Sequence, residues 1–176
     1  MKRVLAIWAP MLFISLAGAF AQGPPPPAPE LKKLDYFVGS WTMDGEIKPG
    51  PMGPGGKSTG TAKYEWMDGN YFLVSHGTFA GVMGQGSETS YLGYDPAKGA
   101  YTYDAFNSMG IHENATGKLE GDTWTWSFDQ NTGGMTMKGR FTIRTVTPTS
   151  YTYKFELSPD GGTAWNVVLD GKATKK

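Results

Sequence analysis

The sequence predicts an all-β fold: about ten antiparallel strands in an up-and-down barrel, preceded by a short N-terminal helix. Three observations predict it. Apolar and aromatic residues alternate with polar ones at period two through most of the chain after residue 61, as half-buried strands require. Turn-forming clusters such as Asp68-Gly69 and Asp95-Pro96-Ala97-Lys98-Gly99 recur at the spacing of about 8–12 residues typical of sandwiches and barrels. No helical period follows Val38. Successive hairpins favour a barrel, because closure removes exposed strand edges. An immunoglobulin-like sandwich is the competing arrangement.

The first residues read as an address. Lys2-Arg3 precede an apolar run from Val4 to Ala17, and Ala19-Phe20-Ala21 fits the small-x-small cleavage rule. Residues 1–21 are therefore expected to be a signal peptide, and the protein is expected to be exported to the periplasm or the extracellular space. Pro10 and the shortness of the run argue against a retained span, which needs roughly 20 apolar residues. Residues 22–30 contain QGPPPPAP, a stiff polyproline-type linker. One barrel domain follows over residues 31–173, and residues 174–176 form a tail.

Leu31-Lys32-Lys33-Leu34 forms the helix, with Pro29 where a first turn tolerates it. Gly39 then lets the backbone bend sharply, so that Trp41 on the first strand (40–47) can cap one end of the barrel. Residues 48–60 read as a long Gly/Pro loop. Within it Gly56-Lys57-Ser58 imitates a phosphate-binding loop, but Pro51 stands where that motif needs its first glycine.

Ala62, Tyr64 and Trp66 share one face of the next strand, and Asp68-Gly69 turns it back into residues 71–79. Strands follow at about 87–94, 101–106, 110–119 and 123–128. Trp124, Trp126 and Phe128 share a face, as do Met137, Phe141 and Ile143 on the next strand. Tyr151, Tyr153, Phe155 and Leu157 alternate with polar residues, and Trp165, Val167 and Leu169 form the last strand.

Composition narrows the function. The 176 residues carry 16 Lys+Arg and 16 Asp+Glu, and removing Lys2 and Arg3 with the leader leaves 14 against 16. That balance offers no basic footprint for nucleic acid. With no cysteine, disulfides, thiol nucleophiles and thiolate metal sites are excluded, and so is a lipid-bearing cysteine. No Gly-x-Ser-x-Gly elbow is present. The scattered methionines read as gap-fillers rather than a copper site. His112 and Glu113 are neighbours on a strand, so their side chains point to opposite faces. No metal or cofactor is expected.

LDYFVGSWTMDGE near the front, Glu88 with Tyr91-Leu92-Gly93-Tyr94-Asp95 in the middle, and Ser158-Pro159-Asp160-Gly161 with Trp165 near the end occur together in this order. The set resembles the exported bacterial proteins grouped as domain of unknown function 1579, over residues 31–172. The resemblance implies a calycin-like barrel, a class that begins with a helical plug and a Gly-x-Trp. Nitrobindin, a distantly similar ten-stranded barrel, binds haem through a late histidine. Here the histidines are His76 and His112, and no later residue could supply that ligand. Lipocalins and fatty-acid-binding proteins, similar at the level of the fold, imply a small apolar ligand inside the barrel.

The expected function is thus a monomeric exported barrel that binds a small apolar or aromatic ligand in its interior. The alternative is a structural or protein-interaction barrel with a filled core. The expected ligand contacts are Trp41, Tyr64, Trp66, His76, Tyr101, Tyr103, His112, Trp124, Trp126 and Tyr153. No catalytic residue is assigned.

Overall fold

The computed structural model describes residues 25–50, 53–82, 84–132 and 135–176. The expected signal peptide lies outside them. Ten strands follow one helix: β1 (Gly39–Ile47), β2 (Gly56–Trp66), β3 (Leu73–Gly81), β4 (Gly84–Asp95), β5 (Ala100–Asn107), β6 (His112–Glu120), β7 (Thr123–Thr132), β8 (Met135–Thr147), β9 (Ser150–Ser158) and β10 (Asn166–Lys175). Each pairs antiparallel with its successor, and β10 pairs with β1, so the barrel is closed and no edge is left open.

The helix spans Pro29–Phe37 and is wound as a 3₁₀ helix. At three residues per turn, side chains at i and i+3 eclipse. Leu31, Leu34 and Phe37 therefore stack in one buried row that plugs the barrel. No side chain caps its N-terminus; the barrel itself grips the helix. The Trp41 indole N–H donates to the Phe37 carbonyl at 2.6 Å, and the Trp66 indole donates to Asp35 Oδ1 at 2.8 Å. The Tyr101 hydroxyl donates to the Glu30 carbonyl at 3.0 Å, and the Tyr36 hydroxyl is shared between the Thr147 and Ser150 carbonyls. Trp41 lies 4.9 Å from Tyr151 between ring centroids, and Phe37 lies 5.5 Å from Trp124. The plugged half is thus a dense aromatic core.

Gly39 has a φ of 111°, a left-handed conformation that favours glycine, and it turns the chain from the plug into β1. Elsewhere the boundaries shift. The 48–60 loop is shorter than expected, because residues 56–60 pair with Met43–Ile47 as the start of β2. Gly56-Lys57-Ser58 is therefore strand, not a phosphate cradle. Positive φ falls on Gly69 (85°) and Asn70 (58°), one residue later than a turn centred on Asp68-Gly69. Trp165 lies before β10 rather than in it, and β10 runs to Lys175, through residues 174 and 175 of the expected tail. The proline segment is not wholly detached: Ala28 packs against the core, and Tyr71 donates to the Pro25 carbonyl.

Candidate functional site

Period-two alternation brings one face of every strand to the interior, but the two halves of the barrel fill differently. Beyond the plug, Ala62 on β2, Ser75 and Gly77 on β3, and Ala115 on β6 present little or no side chain. These small positions, set among Trp126, Phe128, Phe141 and Phe155 and the other lining residues, leave a cavity of about 320 Å³. That is within the size of small-molecule sites, which are largely apolar with a few placed polar groups. Phe37 and Tyr151 form its floor, and Phe79, Gln130 and Leu169 lie among its remaining wall residues.

The polar groups cluster on neighbouring strands. Tyr103 on β5 donates to Glu88 Oε1 on β4 at 2.8 Å. Ser75 is paired with Tyr64 across β2 and β3, and Gly77 with Glu88 across β3 and β4. Glu113 on β6 faces Ala105 on β5. Burial pushes Tyr64 up to about 12; the Ser75 hydroxyl opposes the rise and the Glu88 charge adds to it. Burial, followed by the Glu88 charge, also holds Tyr103 well above the ordinary phenol value. Glu88 is raised by burial against the Tyr103 hydrogen bond, and Glu113 by burial and then the Glu88 charge.

A carboxyl with a raised folded pKa costs stability as pH climbs from its unfolded value to its folded one, and the cost persists above. Glu88→Gln keeps an acceptor for Tyr103 and removes that cost. We therefore expect Glu88→Gln to be more stable than wild type at neutral pH, with the gap closing as the solution is acidified below the ordinary carboxyl range. Urea unfolding of both proteins across that range measures it. A constant gap would mean that Glu88 carries no such cost.

Of the residues expected to meet a ligand, Tyr64, Tyr103 and Trp126 line the cavity. Trp41, Tyr101 and Trp124 are buried in the plugged half, and Trp66 is tied to Asp35 there. Tyr153 is buried against the glycine backbones of β1 and β10, its hydroxyl pushed up to about 12 by burial and then by Asp44 and Asp170. The two histidines correct the expectation. His76 is on the outer face with its Nδ1 3.1 Å from Thr89 Oγ1. His112 is also outside, stacked on Phe106 at 4.6 Å and 3.4 Å from Asp104 Oδ1. Their neighbours Ser75, Gly77 and Glu113 hold the inward positions. Sequence reasoning missed Glu88, Glu113, Ser75 and Tyr151 as lining residues. For Glu88 the signal was present, since it alternates in step with the buried Ser90 and Leu92.

A wider depression of about 760 Å³ lies on the outer face of β1–β4, lined by Thr42, Thr59, Thr61, Thr78 and Gln85 among others. It is an open saddle in which the Thr61 and Thr78 hydroxyls bond each other and the Thr42 hydroxyl donates to the Thr174 carbonyl, and it lacks the enclosure of the interior site. Among the described residues, no group of three or more His, Asp or Glu side chains could hold a metal ion.

The model of one family, described as "Protein of unknown function (DUF1579)", matches residues 26–172. No curated protein matches the chain. Among solved structures, Rv2717c from M. tuberculosis superposes with a TM-score of 0.61 at 19% identity, over 85% of this chain and 99% of its own. That similarity shows a shared fold. EF1p2_mFAP2b bound to DFHBI matches with a TM-score of 0.43 at 11% identity, over 83% of this chain and 98% of its own, a likeness too loose to argue from.

Proposed function

The chain belongs to the DUF1579 family of proteins of unknown function, and on that premise we propose that it binds a small, largely aromatic molecule inside the barrel. The observation that carries the proposal is the partly open interior cavity of about 320 Å³, rich in aromatic side chains and supplied with Tyr64, Tyr103, Ser75 and Glu88 as orienting groups. The filled-core alternative accounts for the plugged half but not for this space. Small barrels ordinarily fill their interiors with side chains, and here Ala62, Ser75, Gly77 and Ala115 leave gaps among the larger lining residues. A leader at residues 1–21 would send the protein out of the cytoplasm, where a monomeric carrier or receptor for a small molecule fits.

Titration with N-phenyl-1-naphthylamine, a neutral dye that brightens in apolar surroundings, tests the proposal. Saturable binding of one dye per folded chain, lost on unfolding, is expected. No binding by the folded protein would favour the scaffold reading.

A further inference from the structure

The charge inside the cavity narrows the ligand class; this step rests on the binding reading above and deepens it. We infer that the ligand is an aromatic compound bearing an ammonium or similar N–H cation, its ring against Trp126 and Phe128 and its charged group on Glu88 and Glu113.

The lining contains these two carboxylates and, among the described residues, no Lys, Arg or His. They lie on β4 and β6, the strands on either side of β5, with Glu113 level with Ser90, two residues along from Glu88, so their backbones are roughly 12 Å apart. A group between them can meet both. Glu88 is half-buried, and Glu113 lines the cavity while staying exposed to solvent. Where the barrel does bury a carboxylate fully, it supplies counter-charges. Glu156, with its side chain 5% exposed, is paired with Arg140 at 2.6 Å and Lys154 at 3.0 Å. Neither Glu88 nor Glu113 has an ion-pair partner among the described residues. Tyr103 gives Glu88 one hydrogen bond, and a carboxylate can accept about four.

Two carboxylates that share a cavity without a counter-charge, one of them partly withdrawn from water, repel each other and are incompletely solvated. A cation entering the cavity relieves both, whereas a carboxylate or phosphate adds a third negative charge. The aromatic walls act in the same direction, because ring faces attract cations and do so more strongly when water is excluded. The chemistry therefore selects against fatty acids and other acidic ligands and favours a basic aromatic amine. The modest volume limits the frame to a few rings.

The test uses three probes with one frame: 1-naphthylmethylamine, cationic at neutral pH; 1-naphthylmethanol, neutral; and 1-naphthoate, anionic. Calorimetric titration of the protein should rank them in that order. The amine should bind at least about tenfold more tightly than the carboxylate, as expected for hydrogen bonds to a charged group. The variants Glu88→Gln and Glu113→Gln, singly and together, should weaken the amine by about tenfold and leave the alcohol almost unchanged. Equal or tighter binding of naphthoate, or an amine affinity indifferent to both variants, overturns the inference while the N-phenyl-1-naphthylamine result stands. If that dye and all three probes fail to bind, the binding reading itself falls with it.

Discussion

Replacing Trp41 with alanine is expected to cost about 3–5 kcal/mol of stability, the range for removing a large aromatic from a packed core. Trp41 is 1% exposed and packs against Tyr36 and Tyr151. It also holds the helix through its 2.6 Å hydrogen bond to the Phe37 carbonyl, so the variant loses the plug's anchor together with the volume. The midpoint of thermal unfolding should fall by about 10 °C or more in a chain of this size. Urea denaturation measures the loss directly. A cost under about 1 kcal/mol would mean that the plug is held by other contacts and that the aromatic floor does not depend on Trp41.

Ala115→Leu is expected to separate binding from stability. Ala115 lines the cavity and is paired with Tyr103 across β5 and β6. Leucine there extends into empty space beside the Glu88–Tyr103 pair. We expect the affinity for N-phenyl-1-naphthylamine to fall by at least about tenfold, while stability is unchanged or rises by about 1 kcal/mol, as cavity-filling changes often do. Dye titration and urea unfolding of the same preparation give both values. Unchanged dye affinity would place the dye outside the barrel; a large loss of stability would mean that the space is already occupied by packed side chains.

These two predictions address opposite ends of the barrel, and the sequence distinguishes those ends poorly. Alternation at period two reveals which residues share a face, and it correctly groups Trp124 with Trp126 and Tyr101 with Tyr103. It carries no information about height along the barrel axis. Tyr101 therefore packs under the plug, its hydroxyl on the Glu30 carbonyl, while Tyr103, one inward position further, reaches Glu88 in the cavity. Height is set by strand register and by where the helix enters, both of them long-range properties.

The histidines show a second limit. In Val74-Ser75-His76-Gly77 both faces are moderately apolar, so alternation alone cannot decide which points inward. Pairing with Ser90 and Tyr64 settles it in favour of Ser75 and leaves His76 outside beside Thr89. His112 and Glu113 were legible as opposite-facing neighbours, and Glu113, still exposed to solvent, is the one on the cavity side. The loop boundary fails for a different reason. Residues 56–60, rich in Gly, Ser and Thr, have weak intrinsic strand preference, and pairing with β1 overrides it.

Native mass spectrometry of the protein, purified without organic solvent from the cells that make it and examined before and after incubation with N-phenyl-1-naphthylamine, tests interior ligand binding most directly. A single small-molecule adduct per chain, lost on unfolding and carrying the mass of a basic aromatic compound, is the predicted result. A chain that carries no adduct and acquires none from the dye would contradict it, and would leave a barrel that works through its outer surface.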